Sequence, residues 1–120
     1  MKENNFLTSE RLVLVKVNNS DAHIKILFDL LKNRSISSNI SHGKLPSLKE
    51  HKKFIFSKPY RYWFLVRKLD KVLGSVYITR FNEISIRLKI NNFSIYEETL
   101  MLVTQNIEPL KAIPSLRNFS

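Results

Sequence analysis

Apolar residues recur along this chain with two different periods. Ile24, Leu27, Leu30 and Leu31 fall at helical spacing, which predicts an amphipathic helix over about 21–32. Ser20 is a good N-cap for it, and Asp21 suits the positive end of the helix dipole. A second helix starts at Pro46-Ser47-Leu48-Lys49-Glu50, where Ser47 and Glu50 form a capping box, and it ends near Lys58, before Pro59. From Ser94 to about Ile107 the helical period returns, with Leu100, Val103 and Ile107 on one face and Pro109 as the stop. Ser94-Ile95-Tyr96-Glu97 reads as a further capping box at its start.

The other period is two. Glu83 to Ile90 alternates strictly: Ile84, Ile86, Leu88 and Ile90 face one side, and Glu83, Ser85, Arg87 and Lys89 face the other. Arg11–Val17, Tyr62–Val66 and Val72–Thr79 are further strands, rich in Val, Leu and aromatic residues. Leu69-Asp70-Lys71 and Arg80-Phe81-Asn82 turn the chain between strands, and polar Asn33–Leu45 reads as loop. Lys111–Ser120 carries no pattern. The element order is β-α-α-β-β-β-α, an α+β layout.

At 120 residues the chain is one domain, long enough to bury a core without disulfides or metals. The absence of cysteine excludes disulfide and thiolate chemistry and points to a reducing, cytoplasmic setting. No signal peptide or membrane span is legible, so no membrane partner is expected. Twenty Lys and Arg against ten Asp and Glu give a net charge of +10. Such a field draws polyanions, but the basic residues are scattered, and nucleic acid is not the expected partner. His42, His51 and Glu50 are too loosely spaced to read as metal ligands.

Several stretches in order resemble one family. Thr8-Ser9-Glu10-Arg11-Leu12-Val13-Leu14 looks like the opening "TERLxL" of the acetyltransferases that modify ribosomal-protein N-termini. Ser41–Ser47, His51, Phe54 and Pro59-Tyr60-Arg61 look like the two-helix segment of small bacterial GNAT proteins. Leu73-Gly74-Ser75-Val76-Tyr77-Ile78 and Asn82–Ile86 look like their third and fourth strands. Over roughly residues 7–118 the chain is similar to the GNAT superfamily of N-acetyltransferases.

The resemblance implies a GNAT-like three-layer α/β/α fold with a mixed sheet, cut short before its fifth strand, which would begin near Ser120. It implies acetyl transfer from acetyl-CoA to a primary amine. Leu88, Lys89 and Ile90 then match the segment that bonds the pantetheine arm. Ser94, Glu97 and Thr99 match the pyrophosphate loop, and none has the family's residue type. Glycine there lets the backbone approach the phosphates. Glu97 and Glu98 instead bring negative charge, at a cost on the order of 1–4 kcal/mol for like charges a few ångströms apart. Glu83 is the candidate base, and Tyr60 and Tyr62 are candidates for the acceptor cleft. The rival readings are a non-catalytic remnant that serves as an interaction module, and a small RNA- or ribosome-associated protein. With its outer neighbour missing, the strand 83–90 is expected to offer an open edge for self-association.

Overall fold

A computed structural model describes residues 6–38 and 46–110, with residues 33–38 described by their backbone. The elements are β1 (Phe6–Thr8), β2 (Val13–Lys16), α1 (Asp21–Ser38), α2 (Leu48–Phe56), β3 (Tyr62–Lys68), β4 (Lys71–Ile78), β5 (Ile84–Leu88) and α3 (Phe93–Asn106). The strands form one five-stranded sheet in the order β1-β2-β3-β4-β5. The fold is α+β. Every strand pairing among the described residues is antiparallel, where the resemblance implies a mixed sheet.

Register explains why helices cover both sheet faces. Val15, Leu65, Ser75 and Arg87 lie in one row across the strands, and Leu14, Val66, Gly74 and Leu88 in the next. Adjacent rows face opposite ways. One face carries Leu7, Leu14, Phe64, Val66, Val76 and Ile78 against Ile95, Leu102 and Val103 of α3. The other carries Leu65, with Val15, Val17 and Trp63, against Ile24 and Leu27 of α1 and Ile55 of α2. Phe64, Leu65 and Val66 are each no more than 1% exposed, so β3 is buried on both faces.

Four expectations need correction. A strand precedes the first one expected. Its three residues pair with Val13–Val15 across a turn in which the Ser9 N–H donates to the Leu12 carbonyl at 2.9 Å. Three residues are too few to show a period. The segment expected as loop from Asn33 is helical to Ser38, and residues 39–45 lie outside the described residues. No proline or glycine stands between Ser20 and Gly43, so propagation meets no breaker there. The expected strand 83–90 is regular over Ile84–Leu88 only.

The third helix does not start with the Ser94–Glu97 capping box. Its N-cap is Asn92, whose side chain accepts the Ile95 N–H at 3.0 Å, and the helix begins at Phe93. Asn and Ser are comparable caps, so packing decides. This start puts Ile95, Thr99, Leu102 and Val103 on the buried face. The capping box expected at α2 is present: the Ser47 Oγ accepts the Glu50 N–H, and a Glu50 carboxylate oxygen accepts the Ser47 N–H.

A latch ties the β1–β2 turn to α3. The Arg11 guanidinium reaches Glu98 at 2.7 Å and donates to the Ser94 Oγ at 2.7 Å, and the Ser9 hydroxyl donates to Glu98. Ser9 Oγ also accepts the Leu12 N–H at 3.1 Å. The Ser9 hydroxyl bond, followed by the Arg11 contacts, draws the Glu98 carboxyl below its ordinary range against the opposing effect of burial.

Strands β4 and β5 approach closely at Gly74. A Cβ there would stand 2.0 Å from the Arg87 carbonyl oxygen and 2.8 Å from the Leu88 Cα. Both are backbone atoms, so a side chain must push the strands apart. Gly74→Ala should destabilise the fold by about 1–3 kcal/mol or more. Urea unfolding of the two proteins measures it; an unchanged midpoint would show that the sheet opens here without cost.

Candidate functional site

The α1/α2 face of the sheet is apolar over β2 and β3 and turns polar over β4 and β5. Ser75, Tyr77, Ser85 and Arg87 follow from the same alternation that points Val76, Ile78 and Ile86 toward α3. The helices cover the apolar part and stop short of the polar part. A cavity of about 520 Å³ lies there. Leu27, Leu30 and Leu31 of α1 and Glu50, His51 and Phe54 of α2 form its upper wall, with Pro46 beside them. Tyr60, Trp63, Ser75, Tyr77, Arg87, Leu88 and Lys89 form its floor and far side.

Aromatic rings order the floor. Tyr60 stacks on Tyr77 at 3.8 Å between centroids with planes 7° apart. Trp63 meets Tyr60 edge-on at 4.8 Å, and Phe54 meets both in the same manner at about 6 Å. Such offset and edge contacts fix ring orientations. Ser85, its cross-strand partner, Arg87 and Tyr60 surround Tyr77. The Ser85 bond, then the Arg87 bond and charge, then Tyr60 draw the phenol below its ordinary range, while burial opposes them.

His51 is 6% exposed and rests on Phe28 with ring centroids 5.3 Å apart. Burial holds its imidazole below the ordinary pKa, so it is neutral at pH 7. Its Nε2 and the Nε1 of Trp63 are buried without a hydrogen-bond partner among the described residues. Buried polar atoms are ordinarily satisfied, so these two stand out in the wall.

The sequence-predicted site residues are divided. Tyr60, Leu88 and Lys89 line the cavity. Tyr62 lies on the opposite face, stacked with Phe64 at 6.0 Å and flanked by Lys16 and Arg61 over its ring. Glu83 is exposed in the turn before β5, where its carbonyl accepts the Thr79 N–H at 2.9 Å; it does not line the cavity. The Lys89 N–H donates to the Leu73 carbonyl at 2.8 Å and so points inward. By alternation, the outward backbone groups of β5 are those of Ile84, Ile86 and Leu88. Ile90 is exposed beyond the strand.

Ser94 and Glu97 are exposed on α3, with Ser94 Oγ held by Arg11. Thr99 is fully buried and donates to the Ile95 carbonyl at 2.8 Å, so it faces the core and not a ligand. His42 lies outside the described residues. Among the described residues no group of three His, Asp or Glu side chains is placed to hold a metal ion.

The start of α3 does not fit a pyrophosphate cradle. The chain's two glycines are Gly43 and Gly74, so every residue from Leu88 to Thr99 carries a side chain. Asn92 caps the helix itself, and Glu97 adds an exposed carboxylate one turn in. The expected contribution of Glu98 to repulsion is corrected: Arg11 neutralises it.

A second cavity of about 640 Å³ lies along β2 and the start of β3, among Phe6, Val15, Asn18, His23, Lys58 and Arg61. Its Arg61 is engaged with the Tyr62 ring and with the Glu108 carbonyl at 2.8 Å. The first cavity is walled by both helices and contains Tyr60, Leu88 and Lys89, three of the residues singled out from the sequence, and is the candidate site. Sequence reasoning missed Tyr77 and Arg87. The polar face of the strand from Glu83 to Ile90 was the available signal, since a polar face can floor a pocket as well as meet solvent. Comparison with protein-family models, curated proteins and solved structures finds no match.

Two histidines, His51 buried and His23 half-buried, set an acid limit. His51 is depressed by burial, and His23 by burial and then by the Arg67 charge. In the unfolded chain both titrate near the ordinary value of 6.5. Stability is therefore complete above 6.5 and falls as pH drops below it, because the unfolded chain takes up protons that the fold refuses. His51→Gln should flatten the fall in melting temperature between about pH 7 and about pH 5, leaving the His23 share. A slope identical to the parent's would remove His51 as its source.

Proposed function

We propose that this chain is a GNAT-like domain that binds a small molecule in the cavity between α1, α2 and β5, and that its grip on acetyl-CoA is weak or lost. The family reading rests on the order of motifs in the sequence. The α+β layout is compatible with it, with two helices inserted before β3 and a helix following β5 on the opposite face. Of the two tyrosines that the resemblance assigns to an acceptor cleft, Tyr60 lines the cavity and Tyr62 does not.

One observation carries the binding reading over the catalytic one. The helix start that should receive a pyrophosphate is capped by Asn92 and lacks glycine. Unsatisfied helix N–H groups attract phosphate, and a side-chain cap removes part of that attraction. Among the described residues no carboxylate stands in the cavity beyond Glu50, one oxygen of which is spent on the Ser47 N–H. Acetyl-CoA should therefore bind more weakly than low micromolar, and acetylation of amines should be slow or undetectable. Calorimetric titration and mass spectrometry of amine mixtures check both. A low-micromolar dissociation constant would restore the acetyltransferase reading.

Self-association through β5 is a second reading, favoured by one observation. Among the described residues β5 is an edge strand, with Ile84, Ile90 and Phe93 exposed beside it. Unpaired backbone groups on an edge invite another strand. Sedimentation equilibrium across a concentration series should then show a dimer that dissociates on dilution. A monomer throughout the series would exclude edge pairing.

A further inference from the structure

The charge around the cavity is one-sided. Arg87 of β5 and Lys89, just past the strand's end, both line the cavity. Neither meets a carboxylate among the described residues, where the ion pairs are Arg11–Glu98 and Asp29–Lys32. Among the described residues Glu50 is the one acidic residue in the lining, and it caps α2. The neutral imidazole of His51 adds no charge. The rest of the lining is largely apolar and aromatic: Leu27, Leu30, Phe54, Trp63 and Tyr60.

We propose that the cavity binds a small monocarboxylate with a flat apolar body, its carboxylate at Arg87 and Lys89 and its body against Trp63, Phe54 and Tyr60. The inference rests on the reading of this cavity as the ligand site, and it names the ligand's class. Arg87 supplies a planar fork matched to carboxylate oxygens, and Lys89 a second donor. Arg87 is paired across the strands with Ser75 and lines the cavity beside Tyr77. The aromatic wall supplies most of the buried area for a flat body at small entropic cost. A cationic amine of the same shape meets two like charges.

The probes are phenylpropionate, its alcohol phenylpropanol and the amine phenethylamine, each titrated into the full chain by calorimetry. Phenylpropionate should bind at least about tenfold more tightly than either of the others. Arg87→Gln and Lys89→Gln, both at exposed positions, should each weaken phenylpropionate about tenfold and leave phenylpropanol unchanged. Melting curves confirm that the variants fold. Equal affinity for acid and alcohol, tighter binding of the amine, or variants that bind phenylpropionate as the parent does would each overturn the assignment. Tighter binding of the amine would leave the cavity as the ligand site and change its class. Failure of all three probes would overturn both the class and the cavity reading. Binding of phenylpropionate alongside tight acetyl-CoA binding would support the class while overturning the non-catalytic reading.

Discussion

The rest of the structure depends on a sheet whose centre must be dry on both sides. Phe64, Leu65 and Val66 are consecutive, so their side chains alternate between faces, and all three are essentially inaccessible. An amphipathic hairpin can leave one face to water; this strand cannot. Two helical layers are therefore required, and the chain supplies α1 and α2 for one face and α3 for the other. Toward β5 the demand fades. Its α3 face carries Ile86 and Leu88, while its other face carries Ser85 and Arg87. The cavity sits where the first helical layer has no apolar surface left to cover.

Much of this was legible in the residues, for specific reasons. The strand 83–90 alternates without exception, so its two faces could be assigned before any coordinates. The Ser47–Glu50 box fixed the start of α2, because both halves of a reciprocal cap are visible in sequence. The start of α3 was not legible, because Asn92 and Ser94 are both competent caps and only burial of Ile95 and Thr99 chooses between them. The strand Phe6–Thr8 has no period to read and is held by pairing alone. The site was legible in part. Tyr60 and Lys89 were found from the resemblance, whereas Tyr77 and Arg87 needed the register of β4 on β5. Tyr60 and Tyr62 look alike in sequence, yet they end on different faces of the sheet.

The latch between Arg11 and Glu98 changes how the start of α3 is understood. From sequence, Glu97 and Glu98 form one acidic pair that would repel a phosphate. In the fold they part: Glu98 turns to the β1–β2 turn and is neutralised, and Glu97 stays in water. The field at this helix end is therefore milder than the sequence suggests. What disfavours a pyrophosphate is chiefly steric and a matter of hydrogen bonding: side chains at every position and a cap already made. Arg11 is committed to Ser94 and Glu98. A phosphate would have to break that latch and loosen the β1–β2 hairpin from α3.

Strand β5 separates the two regions that an acetyltransferase must join. One face of the strand looks into the cavity through Arg87, and the other packs toward α3 through Ile86 and Leu88. On the proposed reading, a thioester anchored near α3 could reach a ligand in the cavity only across the outer edge of β5, past the backbone groups of Ile84, Ile86 and Leu88. Gly74 keeps β4 tight against β5, so no passage opens between those two strands. Cofactor access and strand pairing thus compete for the same row of backbone groups. A second strand docked on that edge would complete the sheet and close the crossing, while the cavity, which opens on the α1/α2 face, would remain free to hold its ligand.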